Sequence, residues 1–165
     1  MENNPTETMI AFIRQIGLKV SLEGIPGKTF VPGILIRNGG LVIDKSRLTY
    51  PGDMLHEAGH LAVMPAAIRK TMNDDLGNDP IHQGGELMAI AWSYAACVHL
   101  EIDPHIVFHE HGYKGGGAEI VENFNAGRYF GVPLLQWYGM TKERPQLPAD
   151  ITFPKMLCWL NPKPD

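Results

Sequence analysis

The segment Pro51–Pro65, PGDMLHEAGHLAVMP, constrains this chain more than any other. It holds His56-Glu57-x-x-His60, and residues four apart on an α-helix lie only about 40° from each other around the axis, so both imidazoles point to one place. The surrounding residues predict that helix. Pro51 and Gly52 break what precedes it, Asp53 is placed to cap its first turn, and Pro65 limits its far end. Met54, Leu55, Leu61, Ala62 and Met64 give it an apolar face to bury. Two neutral histidines one turn apart suit Zn²⁺, and Glu57 beside them is placed to take a proton from a metal-bound water. A bland pair of surface or core histidines is the competing reading, since an HExxH match arises by chance in roughly one chain in a few hundred. The uncharged spacer Ala58-Gly59 and the apolar flanks favour the metal, because a motif packed beneath a cleft carries no charge on its inner side.

A cation of this kind needs a third protein ligand from elsewhere in the chain. Glu86 is the expected one, near the start of Gly85–Leu100, GELMAIAWSYAACVHL, which is apolar almost all the way round and belongs in the middle of a domain. A carboxylate buried there without a partner would cost several kcal/mol (~2–7) or give up its charge, and a metal removes the problem. The alternative for Glu86 is a solvated helix-start residue favoured by the macrodipole. Rival ligands are His82, four residues before Glu86, and His109, Glu110, His111, Glu119 and Glu122 further on. His99 and His105 read as structural or solvent-facing.

The rest of the chain supplies ordinary packing. Pro5–Gly17 places Met9, Ile10, Phe12, Ile13 and Ile16 at helical spacing, with Thr6 or Thr8 as cap and Gly17 as stop. Three β-like runs follow, Leu18–Leu22, Gly33–Arg37 and Leu41–Asp44, the last two flanking Asn38-Gly39-Gly40, whose glycines supply the positive φ of a hairpin turn. A small antiparallel sheet is therefore expected ahead of the His56–His60 helix. Ala66–Met72 reads as a helix turning away and Asn73–Pro80 as a loop. Ala118–Asn125 reads as a helix, and Leu134–Tyr138 and Pro154–Leu160 as short helical turns. No repeat or linker divides residues 1–165, so a single α+β domain is expected.

With 44% apolar and 19% charged residues the composition is that of a soluble globule, and a net charge of −4 with scattered lysines and arginines offers no basic face for nucleic acid. A peptide or protein substrate fits better. Cys97 and Cys158 have neither zinc-ribbon nor redox spacing and read as buried, reduced thiols. No apolar run approaches the ~20 residues of a membrane span and the first residues lack a signal-peptide pattern, which makes cytoplasmic the default expectation.

The order of helix, strand, glycine-turn hairpin, HExxH helix, and then a helix opening with Glu86-x-x-Ala89 and continuing through Trp92, Ala95 and Ala96 resembles the small zincin metallopeptidases of the ImmA/IrrE-like kind, over roughly Met9–Leu100. The resemblance implies a minimal zincin fold, with the sheet packed on the HExxH helix and a following buried helix. It further implies zinc on His56, His60 and Glu86 and Glu57 as catalytic base. The function so implied is a zinc-dependent hydrolase, a peptidase in particular. The alternative is a catalytically inactive zincin scaffold acting in binding or regulation. An intact Glu57 beside the metal favours the enzyme, since a structural site has no use for a base. Such a hydrolase also needs a donor for the developing oxyanion, and His109, His111 or Tyr113, next to Gly115-Gly116-Gly117, are the candidates in a loop expected to wall one side of the cleft.

Overall fold

The computed structural model describes residues 4–74, 80–143 and 147–165, with only the backbone described at 80–83 and 149. In chain order the elements are α1 (Pro5–Gln15), β1 (Val20–Leu22), β2 (Ile34–Arg37), β3 (Gly40–Ile43), α2 (Asp53–Ala62), α3 (Ala66–Arg69), α4 (Pro80–Leu100), α5 (Gly117–Asn125) and α6 (Val132–Trp137). Short 3-10 turns lie at Pro104–Ile106, Tyr113–Gly115 and Ala149–Ile151. The class is α+β, and a single hydrophobic core runs from Met9 to Met156. Among the described residues no helix is long and apolar enough to cross a membrane.

Asn4 caps α1, its Oδ1 accepting from the Thr6 N–H at 3.0 Å, so the cap is neither threonine but the residue ahead of Pro5. Proline at the first helical position has no N–H to leave unsatisfied. Met9, Ile10, Phe12 and Ile13 are buried as their spacing predicts.

The sheet is mixed, where an antiparallel one was expected. β2 and β3 form the hairpin, Ile34 opposite Ile43 and Arg37 opposite Gly40, turning through Asn38 (φ 49°) and Gly39 (φ 78°). β1, however, pairs in parallel with β3, Val20 opposite Leu41, which gives the order β1-β3-β2. The reason lies in β3. Gly40-Leu41-Val42-Ile43 is apolar without alternation and all four residues are buried, so it takes the centre of the sheet and leaves both edges to its neighbours.

α4 starts at Pro80, earlier than Gly85, with Gly84 and Gly85 inside it. Pro80 opens the helix at no hydrogen-bond cost, and Gly85 lies against the tip of the Met64 side chain. The stretch expected as the loop Asn73–Pro80 falls largely outside the described residues. Met88 to Cys97 is buried throughout, and burial pushes the Cys97 thiol up to about 12, an inert thiol. Cys158 is free as well but only half-buried.

α2 packs on α4 at its narrowest point, Gly59. A Cβ there would meet Trp92 Cε3 at 3.1 Å and the Ala89 carbonyl oxygen at 3.2 Å. The C-terminal segment closes the other end of α2. The Asn161 N–H donates to the Ala62 carbonyl at 2.8 Å and its Nδ2 to the Val63 carbonyl at 2.8 Å. Arg69 adds Nε to the Leu61 carbonyl at 2.9 Å, a cation at the negative end of the helix. Pro154–Leu160, expected as a helical turn, is extended and turned because its backbone bonds outward. The Leu157 N–H reaches the Met140 carbonyl at 2.8 Å, and the Trp159 carbonyl accepts from Trp92 Nε1 at 2.9 Å.

Candidate metal centre

His56 and His60 project from one face of α2 with their Nε2 atoms 3.1 Å apart. The close α2–α4 crossing at Gly59 brings Glu86 onto them, Oε2 at 2.7 Å from His60 Nε2 and Oε1 at 3.3 Å from His56 Nε2. Among the described residues these three form the one group whose ligand atoms converge, all within 4.8 Å of one another. Glu86 is not the buried carboxylate that the apolar helix suggested. Its side chain is 43% exposed against 14% and 9% for the histidines, so it stands at the lip of a site whose floor is imidazole. With α4 starting at Pro80, Glu86 lies in its second turn and not at its first residue.

The donor set fits a tetrahedral divalent cation. Bonds of about 2.0–2.1 Å at tetrahedral angles set neighbouring ligand atoms about 3.3 Å apart, close to the 3.1 Å between the two imidazole nitrogens, with a Glu86 oxygen converging on both. The chemistry agrees with the geometry. Two imidazole nitrogens face each other nose to nose, and one proton at most fits between them, whereas a cation satisfies both lone pairs and the carboxylate together. Burial by itself would raise the Glu86 carboxyl, but hydrogen bonds from His56 and His60 outweigh it and hold the group well below the usual carboxylate range, ionised as a ligand must be.

Glu57 follows His56 on α2. Burial, aided by the Glu86, Asp53 and Asp74 carboxylates and opposed by His60, lifts its carboxyl from the ordinary 4.5 to about 7. In the metal-free protein this has a consequence for stability. The unfolded chain releases the proton near 4.5 and the folded chain holds it to about 7, so the native state binds more protons across that window and stability falls as pH rises through it. Glu57→Gln abolishes the penalty. Relative to the native chain, the metal-free variant is expected to gain about 1–3 kcal/mol at pH 8 and nothing at pH 4, read from urea unfolding at both values.

The loop after α4 reaches the same end of α2. Gly52, at the start of that helix, touches the chain at Ile106 so closely that a Cβ would lie 2.0 Å from the Ile106 carbonyl oxygen. Asp53 is the first helical residue and not a cap; its Oδ1 instead pairs with His109 Nε2 at 2.7 Å, while Gly52 in the cap position brings no side-chain bond. Tyr50 stacks on His109 with ring centroids 4.1 Å apart. Gly52→Ala is expected to cost about 2–3 kcal/mol in a denaturant melt, because a carbonyl, unlike a flexible side-chain tip, cannot step aside.

Of the three loop residues expected near the metal, the structure brings one to the candidate ligands. Tyr113 Oη lies 2.8 Å from His56 Nδ1, on the side of the ring opposite Nε2. His109 is committed to Asp53, and His111 is at the surface with Glu110 at 3.0 Å. The His82 side chain lies outside the described residues. Glu119 and Glu122 are exposed on α5, His105 pairs with Asp103 at 2.9 Å, and His99 leans on Phe12 and Trp159. Sequence reading missed the roles of Tyr50, Asp53 and Asn161, whose contacts come from segments far away in the chain. Comparison with protein-family models, with curated proteins and with solved structures finds no match to this chain. The functional reading therefore stands on the geometry.

Proposed function

We propose that this chain is a zinc-dependent hydrolase, a peptidase of the gluzincin kind, with His56, His60 and Glu86 holding the metal and Glu57 as general base. The observation that carries the reading is the convergence of ligand atoms of His56, His60 and Glu86 from α2 and α4, with the buried carboxyl of Glu57 next to His56 on the same helix. Zinc bound there supplies Lewis acidity toward the scissile carbonyl and lowers the pKa of a coordinated water to about 7.

The protein's own groups do the rest. Glu57 takes a proton from the attacking water and returns it to the leaving amine. Burial raises the proton affinity of that carboxyl above that of an exposed glutamate, which favours taking the proton up. Glu86, ionised and at the lip, offsets the cation's charge without closing the cleft. His56 and His60 hold the floor on a helix pinned at both ends, by Gly52 and Asp53 against the loop and by Arg69 and Asn161 at its close.

The test is elemental analysis of protein prepared in metal-free buffer and reconstituted with zinc, followed by digestion of a mixed peptide library. One zinc per chain and cleavage that a chelator abolishes are expected. A chain that takes up no zinc, or that takes it up and cleaves nothing, overturns the proposal.

A further inference from the structure

We propose that Tyr113 is a positioning residue for the metal centre, its phenol oxygen accepting the Nδ1 proton of His56 and so presenting the Nε2 lone pair to the cation; this rests on the metal reading of His56, His60 and Glu86.

The two nitrogens of the His56 ring face different partners. Nε2 looks toward His60 and Glu86, and Nδ1 lies 2.8 Å from Tyr113 Oη. An imidazole that gives its Nε2 lone pair to a metal carries its proton on Nδ1, and a group that accepts that proton fixes both the tautomer and the tilt of the ring. A carboxylate or a backbone carbonyl is the usual acceptor; here a phenol holds the place. Burial, reinforced by the nearby Glu86 and Asp53 carboxylates, raises the Tyr113 hydroxyl above its ordinary range. A phenol is neutral near pH 7 in any case and adds no charge behind the ligand. Its ring stands edge-on to His56, centroids 5.3 Å apart at 85°, and tilts against Phe108 at 5.2 Å.

The chain is built to put the hydroxyl there. Ile106 is pressed on Gly52, His109 is tied to Asp53, and α5 begins so near Phe108 that a Cβ on Gly117 would lie 2.4 Å from the Phe108 carbonyl oxygen. Residues 108–117 therefore leave and return at one place on the front of α2. Inside that closed loop Tyr113 and Lys114 both take left-handed backbone conformations, with φ of 54° and 53°. Two successive side-chain-bearing residues in that region are strained, and the arrangement persists only where surrounding contacts hold it. Glycines occupy positions 112 and 115–117 of the same loop, yet one of its two left-handed non-glycine positions carries the residue whose hydroxyl reaches His56. The strain and the hydrogen bond are independent observations that meet at Tyr113.

Tyr113→Phe isolates the hydroxyl, because the phenyl ring keeps both aromatic contacts. Zinc affinity, read by competition with a chromophoric chelator, is expected to fall about 10–100-fold. In the zinc-loaded protein the His56 Nδ1 proton is expected to resonate downfield and exchange slowly in the native chain, and to move upfield and exchange with water in the variant. The unfolding midpoint of the metal-free variant is expected to stay within a few degrees of the native one. Unchanged zinc affinity in a variant of a zinc-binding chain overturns this inference and leaves the hydrolase reading standing. A native chain that binds no zinc overturns both. A metal-free variant that melts many degrees lower, or does not fold, assigns Tyr113 to packing and also overturns it.

Discussion

Glu57→Gln is expected to bind zinc as the native chain does, to melt no lower, and to hydrolyse peptide at least ~100-fold more slowly. The amide is nearly isosteric with the carboxyl and still forms hydrogen bonds, but it cannot take a proton, so the change removes one chemical capacity and little else. A hundredfold corresponds to about 2.7 kcal/mol in the barrier, ordinary for the loss of a positioned base. Glu57 carries no ligand atom in the converging trio, which is the reason zinc affinity should survive. The pH profile gives a second reading of the same residue. If Glu57 is the base, activity of the native chain rises with pH as the carboxyl ionises, at or below its metal-free value of about 7, because a bound cation favours the charged form. That rise should vanish from the residual activity of the variant. Equal turnover of the two proteins would remove Glu57 from the mechanism.

Glu86→Ala should have the larger effect on the metal, a loss of zinc affinity of at least ~100-fold. Truncation takes away the only anionic ligand and leaves two histidines, and two neutral donors do not hold zinc tightly. His109→Ala is the informative comparison. That ring nitrogen is occupied by Asp53 at 2.7 Å, so its removal should loosen the loop and leave most of the zinc affinity in place. A His82→Ala chain is the matching control for the other histidine near Glu86 in sequence. If Glu86→Ala bound zinc normally while either histidine variant lost it, the ligand set would have to be redrawn. Calorimetric titration of the metal-free proteins distinguishes these outcomes directly.

The parts of this molecule that were readable beforehand are those set within one element. His56 and His60 share a face because helical periodicity places them there, and Met54, Leu55, Leu61 and Ala62 are buried for the same reason. The Asn38-Gly39 turn announced the β2–β3 hairpin, and unbroken apolarity announced the burial of α4. Errors began where one element meets another. A local pattern of strands says nothing of which edge a strand will join, so β1 was free to pair in parallel once the all-apolar β3 had taken the centre. Gly84 and Gly85 argued against helix from propensity alone, yet both lie inside α4, whose residues from Met88 to Cys97 are buried in the core.

The same division runs through the candidate metal centre. Which of several carboxylates and histidines completes the pair depends on distances across an interface, and those follow from the missing side chain at Gly59 that lets α4 approach α2 and bring Glu86 within 2.7 Å of His60. The loop carrying His109, His111 and Tyr113 looked equally competent at all three positions. Only the closed path between Ile106 and Gly117 turned one toward Asp53, one toward solvent and one onto His56. Side-chain periodicity is a property of a few neighbouring residues, and it was enough to place the histidine pair with Glu57 beside it. Contacts between residues far apart in the chain, such as Glu86 with His60 or Tyr113 with His56, depend on how closely backbones can approach, and that is a property of the packed chain.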